Sequence, residues 1–424
     1  MRILYYGPFR DGSGYAVAAR GYLKAFDKLI QEGEDIDLHL LTLDLEGRNS
    51  KLSKSNQELI EKYEFKFDGY TGITSEKEVD EWLDNPEPFI FIWHQPAPMI
   101  TWERYYDDPF WKQVKKFLSK CKWNISFTVW EADKIHPAWV DTYKVYDVDA
   151  VVVPSKYNHN VFKDGLPKDI KCFYIPHPVE KKQLGKSKKL KGLPDLGDKF
   201  VIFSMSQWGV RKGFDKLLMA YYLEFGHQQD VVLIIKTNGS IMNSQNVKEQ
   251  KQHIIADAKQ YKSMIFMDSY MEQPTCDVVL LTDFLPRENI QWLYEQADVF
   301  ALPARAEGFG LTLAEAIVNK VPVITTRTSG QSEFLMPFHP FLIDGMYEPY
   351  LSKSEFTNDM NWFEPSVNSI RMKLRNAYNW KKSTEAMKLI SDKQLKYFEE
   401  QNYTIERVSK DLKDMLNKMS KDIE

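Results

Sequence analysis

Residues 302–316 read Leu-Pro-Ala-Arg-Ala-Glu-Gly-Phe-Gly-Leu-Thr-Leu-Ala-Glu-Ala. An apolar strand ends near Leu302, a loop with two glycines follows, and a helix is predicted to begin around Leu311. The free N–H groups and the positive dipole end of this helix point into the space above the strand ends, where an open α/β sheet binds ligands. A diphosphate suits that place. Glu307 in the loop and Glu315 in the helix can face the same ligand, because carboxylates accept hydrogen bonds from sugar or ribose hydroxyls.

Glu315 also has a purely structural interpretation. The segment Thr312-Leu-Ala-Glu315 matches a capping box, in which the glutamate binds only a backbone N–H of its own helix. The residues alone leave both interpretations open.

The pattern of a strand followed by a helix repeats along the chain of 424 residues, a length that favours two to three domains. This alternation predicts βα units around buried parallel sheets. In the first half, strands are predicted at 2–6, 37–43, 89–93, 124–130, 150–153 and 171–175, and helices at 15–31, 109–119, 137–143 and 157–164.

The second half repeats the alternation and ends in helices. Strands are predicted at 200–204, 231–236, 264–268, 278–282, 299–302 and 321–325, and helices at 214–225, 247–260, 287–296 and 311–319. From about Val367 to the end, apolar residues recur at three- and four-residue steps, which gives each helix one buried face. They include Ile370, Leu374, Tyr378, Ile405, Val408, Leu412 and Leu416.

The domain boundaries follow from composition. Residues 181–199 are rich in Lys, Gly and Pro and lack apolar periodicity, so we predict a linker there. An N-terminal domain then spans 1–180, a C-terminal domain spans 200–395, and a helix in 396–424 crosses back to the first domain. A phosphate-binding patch in the linker and a membrane-surface role for the final helix are alternatives. The mixed charges of that helix favour packing.

Composition excludes several classes of protein. Hydrophobic residues at 43% and charged residues at 27% exclude a disordered or collagen-like chain. A net charge of -4 is too balanced for a protein that coats nucleic acid through charge. No run of 18 apolar residues occurs, and the N-terminal apolar run reads as a first strand rather than as a signal-peptide core. The cysteines match neither a disulfide framework nor zinc spacing, which favours the cytoplasm; they are Cys121, Cys172 and Cys276.

The loop Gly7-Pro-Phe-Arg-Asp-Gly12-Ser13-Gly14 separates the first strand from the first helix. It begins like a P-loop, but it lacks the lysine that contacts the terminal phosphates, which excludes ATP hydrolysis of that type. It also begins like a dinucleotide fingerprint, but Val17 stands at the third glycine position, so NAD binding is weakly supported. Either the loop approaches a phosphate or sugar, or it is a plain tight turn.

Several segments resemble one enzyme family. Residues 307–316 resemble the E-x7-E signature of retaining nucleotide-sugar glycosyltransferases of the GT-B fold, especially family 4. Further similar segments, in chain order, are Pro154-Ser-Lys-Tyr, Ile175-Pro-His-Pro-Val, Arg211-Lys-Gly-Phe-Asp-Lys-Leu-Leu and Asn361-Trp-Phe-Glu-Pro. The resemblance covers nearly the whole chain. It implies an α/β protein with two Rossmann-like, doubly wound parallel-sheet domains facing a cleft, and with C-terminal helices packing back across the domains.

The resemblance assigns roles in donor binding. Glu307 and the backbone of Gly308, Phe309, Gly310 and Leu311 would hold the donor sugar and diphosphate, Glu315 would hold the ribose hydroxyls, and Lys212 would neutralise the departing phosphates. The family has an arginine five residues before this lysine, and here that position is Gln207. Arg211 is a candidate substitute, because a guanidinium binds phosphate bidentately.

The N-terminal half contributes further candidates. His94 follows an apolar strand, and the resemblance implies a position near the donor sugar; an ordinary loop histidine is the alternative. Gly12, Ser13 and Gly14 are the donor-facing candidates of the first loop. Glu131 ends another predicted strand and is an acceptor-binding candidate.

The resemblance implies an enzyme that moves a hexose from a nucleoside-diphosphate sugar, with UDP favoured, to a hydroxyl of a glycan, lipid, protein or small molecule. The cysteine usage favours a cytoplasmic location for it. We expect no metal, no other cofactor and no obligate protein partner. Two alternatives stay open: glycosylation of a modified nucleic-acid base, and a non-catalytic scaffold that binds nucleotide sugars. The first would use a basic face, for which Lys115, Lys116, Lys120 and Lys122 are candidates.

Overall fold

The structure is a computed structural model that describes residues 1–42, 52–64, 76–97, 109–179, 186–238, 247–266, 275–350, 359–381 and 384–421. The chain divides into two compact units. Unit 1 comprises residues 1–179 and 403–424, and unit 2 comprises residues 180–402. The sequence places the return to the first unit at residue 396. In the structure the return is at Tyr403, because residues 384–400 form one uninterrupted helix.

Unit 1 contains a parallel sheet with the strand order β2-β1-β3-β4-β5-β6. Its strands are β1 (Arg2–Gly7), β2 (Asp37–Thr42), β3 (Phe89–His94), β4 (Trp123–Phe127), β5 (Ala150–Val153) and β6 (Lys171–Tyr174). Residues of β1 and β3 are buried along their whole length, as expected for a parallel sheet covered on both faces.

The described helices of unit 1 cover the sheet. They are α1 (Gly14–Gln31), α2 (Lys54–Tyr63), α3 (Glu76–Leu83), α4 (Pro109–Lys120), α5 (Pro137–Val145) and α6 (Lys156–Gly165), with α13 (Ile405–Lys421) from the end of the chain. Helix α13 packs against α1, and the Ser409 hydroxyl donates a hydrogen bond to the carbonyl oxygen of Ala25 at 3.0 Å. Its buried residues, which include Val408 and Leu412, lie on one face, as predicted.

Unit 2 contains a second parallel sheet, with the order β12-β11-β10-β7-β8-β9, and an antiparallel pair formed by β13 and β14. The strands are β7 (Phe200–Met205), β8 (Val231–Lys236), β9 (Asp277–Leu281), β10 (Val299–Leu302), β11 (Val323–Thr326), β12 (Leu342–Ile343), β13 (Gly345–Pro349) and β14 (Asn361–Pro365).

Helices cover this sheet as well. They are α7 (Phe214–Phe225), α8 (Val247–Ile265), α9 (Arg287–Gln296), α10 (Leu311–Val318), α11 (Val367–Lys381) and α12 (Thr384–Glu400). One face of the sheet forms a continuous apolar core with α7, α8 and α11, in which Ile202, Leu217 and Leu374 are fully buried. The predicted doubly wound parallel layers are therefore present in both halves of the chain.

One predicted strand is wrong. The apolar run at 264–268 was expected to be a strand, but Met264 and Ile265 complete helix α8, because the helical pattern of 247–260 continues through them. Residues 267–268 of that prediction, and residues 181–185 of the predicted linker, lie outside the described residues. The described part of the linker, 186–199, is largely exposed. Helices α2 and α3 and strands β12, β13 and β14 were not predicted, whereas α11, α12 and α13 lie in the region from Val367 onward that the sequence predicts to be helical.

Among the described helices, none is both long and apolar enough to cross a membrane. All three cysteines are free.

Two segments of unit 2 approach each other so closely that a glycine is required between them. Gly213 ends a short 3-10 turn (Val210–Lys212) and adopts the left-handed conformation with φ of 72°. A Cβ atom there would lie 2.1 Å from the carbonyl oxygen of Pro303, just after β10. This contact presses the turn after β7 against the loop after β10.

We predict that Gly213→Ala destabilises unit 2. The left-handed conformation alone costs a non-glycine residue about 1–3 kcal/mol, and the contact with Pro303 adds to it. Urea unfolding measures the free energy. Gly209→Ala is the matched control, since Gly209 is extended and its Cβ would have no neighbour within 4 Å; its effect should stay within about 0.5 kcal/mol. Equal stability of the two variants would contradict the close approach.

Candidate functional site

The strand order of unit 2 creates a crevice at one defined place. Strand β7 lies between β10 and β8, and the chain leaves it toward β8 but later returns on its other side as β10. In open α/β sheets, ligands bind at the carboxyl ends of the strands where the order reverses in this way. The segments at this point are 206–213 after β7 and 303–310 after β10.

These two segments bring three predicted site residues together. The Lys212 ammonium donates a short hydrogen bond to Glu307 Oε1, and Arg211 Nη1 lies 3.6 Å from Glu307 Oε2. Arg211 Nη1 also donates to the carbonyl oxygen of Ala306 at 2.8 Å. Glu307 is only 7% exposed. Two cations therefore surround one buried carboxylate.

The pKa of Glu307 reflects a balance of opposing effects. Burial raises the pKa, but the charges and hydrogen bonds of Lys212 and Arg211 outweigh it, so the pKa lies below its ordinary value. The carboxylate is ionised at neutral pH. The cluster as a whole carries one positive charge, which suits an anionic ligand.

A neighbouring turn fixes the backbone around Glu307. The N–H of Glu307 donates to the Ser329 hydroxyl at 2.8 Å, and the N–H of Gly330 donates to the carbonyl oxygen of Glu307 at 2.8 Å. Ser329 has a φ of 47°, an uncommon value for a residue other than glycine. A Cβ atom on Gly330 would lie 2.0 Å from the carbonyl oxygen of Gly308, so a larger residue does not fit.

Glu315 does not form the capping box. Helix α10 begins at Leu311, and Gly310 is its N-cap, so Thr312 already lies inside the helix. The carboxylate of Glu315 instead receives two hydrogen bonds from Arg287, at 2.6 and 3.2 Å, and one from the Tyr294 hydroxyl at 3.1 Å. The capping-box interpretation is therefore wrong, because the helix starts earlier than that motif requires.

The other residues of unit 2 that were predicted to bind the donor substrate differ in exposure and in backbone conformation. Phe309 is 3% exposed and packs on Phe334 with ring centroids 5.4 Å apart, so its backbone rather than its ring remains available. Gly310 has a φ of 96°, which lets the chain turn into α10. Leu311, the first residue of that helix, and Gln207, after β7, are both partly exposed. A role for Arg211 in place of the arginine missing at Gln207 stays a prediction.

In the loop between β1 and α1 of unit 1, the side chains of the loop form hydrogen bonds with its own backbone. Asp11 Oδ1 accepts the N–H of Ser13 at 2.7 Å, and Ser13 caps α1 by accepting the N–H of Ala16 at 3.1 Å. Gly14 is exposed, and a Cβ atom there would have no neighbour within 4 Å. Gly12 lies in the same loop and is exposed. The packing of the described residues does not require a glycine at position 14, and the donor-binding role of Gly12, Ser13 and Gly14 stays a prediction.

His94 is buried at the end of β3, next to β1, at the point where the strand order of unit 1 reverses. Its Nδ1 is 2.8 Å from the Tyr5 hydroxyl. Burial, and then the neighbouring His177, lower the pKa of His94 well below its ordinary value, so the ring is neutral at neutral pH. Glu131 lies in the loop after β4 and is partly exposed. The roles predicted for both residues stay predictions.

Several polar residues of unit 2 that hold the site were not predicted from the sequence. Arg287 and Tyr294 hold Glu315, and Arg305 joins Asp215 to Glu364. These pairs form between residues that are far apart in sequence, so no local sequence pattern predicts them. Within the described ranges, no three His, Cys, Asp or Glu side chains are placed to hold a metal ion.

The sheet order and the crevice beside β7 define a Rossmann-type unit, and the cationic cluster lies where such a unit binds its ligand. Residues 186–364 match the family model described as glycosyl transferases group 1. This part of the chain is similar to that family, in agreement with the resemblance found in the sequence.

Two curated relatives match parts of the chain. Mannosylfructose-phosphate synthase of Agrobacterium fabrum is 23% identical over 130 residues, which are 31% of this chain and 26% of the relative. A GDP-mannose-dependent alpha-(1-6)-phosphatidylinositol monomannoside mannosyltransferase of Mycolicibacterium smegmatis is 24% identical over 201 residues, which are 45% of this chain and 47% of the relative. The chain spans less than half the length of these relatives.

Two solved structures share the fold over nearly the full length. HepE of Anabaena in complex with UDP-glucose has a TM-score of 0.59 at 12% identity and covers 99% of this chain and 100% of its own. Sucrose-phosphate synthase of Thermosynechococcus elongatus has a TM-score of 0.61 at 13% identity and covers 99% of each chain. The fold is GT-B, as expected.

We predict that Lys212→Met makes stability depend on pH in a defined way. Because the folded-state pKa of Glu307 is depressed, its pairing stabilises the fold above the unfolded pKa of about 4.3 and is lost as the pH falls through the folded pKa. Leaving a buried charge with a weaker partner costs up to about 3–5 kcal/mol. Urea unfolding should therefore show a deficit above about pH 5 that shrinks on acidification.

Lys320→Met is the control for this measurement, since Lys320 forms a surface pair with Asp392 at 2.8 Å. Its stability should stay within about 1 kcal/mol of the wild type across the pH range, because an exposed pair contributes little. A deficit of Lys212→Met that grows on acidification would contradict the assigned pairing.

Proposed function

We propose that the chain is a retaining glycosyltransferase that moves a hexose from a nucleoside-diphosphate sugar to an acceptor hydroxyl. The observation that carries the proposal is the cluster of Lys212, Arg211 and Glu307 where β7 and β10 diverge. Its excess positive charge suits a diphosphate, and its carboxylate suits sugar hydroxyls. The match of residues 186–364 to group 1 glycosyl transferases supports the same reaction.

The residues have distinct tasks in this proposal. The bond between the anomeric carbon and the β-phosphate oxygen breaks, and the diphosphate takes the bonding electrons. Lys212 and Arg211 stabilise the charge that develops on the diphosphate, in a site where solvent screens it little. Glu307 accepts hydrogen bonds from sugar hydroxyls and orients the sugar.

Retention follows from a front-face route. The acceptor oxygen forms the new bond to the anomeric carbon on the face that the diphosphate leaves, and its proton passes to an oxygen of the leaving phosphate. This route needs no protein nucleophile. The carboxylate of Glu307 is bound by Lys212 and stays ionised, which is consistent with a role in binding the sugar rather than in attacking it.

A UDP-sugar is the donor we favour. Solved neighbours were obtained with UDP-glucose, UDP and glucose, and UDP and GlcNAc, whereas one curated relative is named as GDP-mannose-dependent. The acceptor belongs to the class of glycans, lipids, proteins or small molecules. We place the enzyme in the cytoplasm, since its three cysteines are free.

Glycosylation of a nucleic-acid base gains no support from the basic residues near α4. Lys116 pairs with Asp80 at 3.0 Å, and Lys122 lies over the Trp123 ring at 5.5 Å. A solvated helix surface accounts for the cluster.

We predict that Glu315→Gln weakens binding of UDP and reduces the preference for ribose over 2′-deoxyribose. A glutamine retains one carbonyl acceptor but loses the charge, and a hydrogen bond to a charged group is worth about 1.5–3 kcal/mol. Calorimetric titration of both proteins with UDP, 2′-deoxy-UDP and GDP measures the coupling.

Glu224→Gln is the matched control, because Glu224 is also held by arginines, Arg371 and Arg375, in unit 2. It should leave both affinities unchanged. If wild-type protein bound neither UDP nor GDP, the proposed function would be wrong. If Glu315→Gln bound both forms of UDP as the wild type does, the role in ribose binding would be wrong and the donor site would stand.

We predict that donor turnover continues in EDTA. Lys212 and Arg211 supply the positive charge that a divalent ion supplies elsewhere. The release of UDP from a UDP-sugar, followed by a coupled assay before and after chelation, tests this. Loss of turnover in EDTA that Mg²⁺ or Mn²⁺ restores would contradict the scheme.

A further inference from the structure

Arg305 lies two residues before Glu307, and its guanidinium has all five of its N–H groups engaged. It is 4% exposed. Nε and Nη2 donate to the two oxygens of Glu364 at 2.6 and 2.8 Å, and Nη1 and Nη2 donate to the two oxygens of Asp215 at 2.9 and 2.7 Å. The remaining N–H of Nη1 donates to the carbonyl oxygen of Val210.

The backbone of Arg305 adds two further links. Its N–H donates to the carbonyl oxygen of Arg211 at 2.8 Å, and its carbonyl oxygen accepts the N–H of Phe363 at 3.0 Å. Its guanidinium carbon lies 5.0 Å from the centre of the Trp362 ring. One residue thus joins the turn 210–212, the first turn of α7, and strand β14.

The charges in this cluster balance among themselves. Asp215 and Glu364 face Arg305, and Lys216 pairs with Glu364 at 2.9 Å. Burial lowers the pKa of Arg305, but Asp215 and Glu364 outweigh it, so the guanidinium stays charged. This cluster contributes no net charge, so the positive excess nearby belongs to Arg211 and Lys212.

We propose that Arg305 is a positioning residue for the leaving-group site, an inference that rests on the proposed function. It holds the turn 210–212 at two consecutive carbonyl groups, those of Val210 and Arg211. The side chains of Arg211 and Lys212 leave this turn toward Glu307. Arg305 itself, bound on every N–H, acts through these two residues. The same contacts give the segment Asn361-Trp-Phe-Glu-Pro a structural role, since its Trp362 and Glu364 hold the side chain of Arg305.

A lysine cannot reproduce this arrangement. An ammonium has three donors and no planar fork, so it cannot bind two carboxylates bidentately and a carbonyl oxygen at once. Arg305→Lys keeps the positive charge and loses the geometry. This makes it a test of positioning rather than of charge.

Arg375, which lies in α11, provides a matched control because it also contacts α7. It binds Glu224 near the C-terminal end of α7, with Nε at 2.6 Å from the carboxylate, and donates to the Glu224 carbonyl oxygen at 3.0 Å. Its guanidinium carbon lies over the rings of Phe225 and Tyr378 at 4.9 and 5.2 Å. Arg375→Lys therefore removes a similar arginine contact from α7 without touching the turn 210–212.

The experiment compares kcat and KM for the release of UDP from a UDP-sugar in five proteins: wild type, Arg305→Lys, Arg375→Lys, Lys212→Met, and the double variant Arg305→Lys with Lys212→Met. Displacing a catalytic group by about 1 Å can cost about a hundredfold in rate, so kcat should fall by about that factor in Arg305→Lys and stay unchanged in Arg375→Lys. The double variant should lose less than the product of the two single effects, because part of the effect of Arg305 passes through Lys212 and the rest passes through Arg211.

Equal kcat for Arg305→Lys and wild type would overturn the proposal, and so would effects that multiply fully in the double variant. Glu364→Gln replaces Arg305→Lys if that variant does not fold, and it should lower kcat in the same direction. A second double-mutant cycle measures the free energy of unfolding of the same variants in the absence of donor. If the wild type did not turn over any UDP-sugar, the proposed function alone would be wrong. If the changes in unfolding free energy of Arg305→Lys and Lys212→Met were additive in the double variant, the positioning role of Arg305 would be wrong as well.

Discussion

The charge of Glu307 is the constraint that organises unit 2. A carboxylate that is 7% exposed must be paired, since an isolated buried charge is strongly unfavourable. Lys212 and Arg211 supply the pairing, and they reach Glu307 because Gly213 permits a turn that touches the backbone of Pro303. The same position is where the sheet order reverses, so the strands leave room for a ligand beside the charges.

Most of the fold was readable from the sequence because parallel sheets leave strong signals. The bounds predicted for α7 and α9 agree with the structure to the residue, since each helix combines apolar periodicity with a marked start. The antiparallel pair β13 and β14 was missed for the opposite reason. Every residue of β13 is exposed, so it shows no alternation, and its pairing depends on β14, which lies beyond residues 351–358.

The site was predictable only in part. Glu307 and Lys212 belong to motifs that can be recognised locally, and the structure joins them. The partners of Arg305 lie 90 and 59 residues away in sequence, and Arg287 reaches Glu315 across 28 residues. A single sequence contains no signal for such pairs, because each charged residue also reads as an ordinary surface residue. The capping-box interpretation of Glu315 failed because the helix begins at Leu311, one residue before Thr312.

The hydrogen bond between the Val179 N–H and the Tyr403 carbonyl oxygen, at 2.8 Å, closes unit 1 around the place where unit 2 departs and returns. Unit 2 is thus an insertion in unit 1. During synthesis on the ribosome, unit 2 emerges as one continuous stretch. Helix α1 is made before unit 2, and its packing partner α13, whose Ser409 binds the backbone of Ala25, is made after unit 2. Domains fold as units as their residues become available. Unit 2 can therefore fold completely before α13 is available to pack against α1.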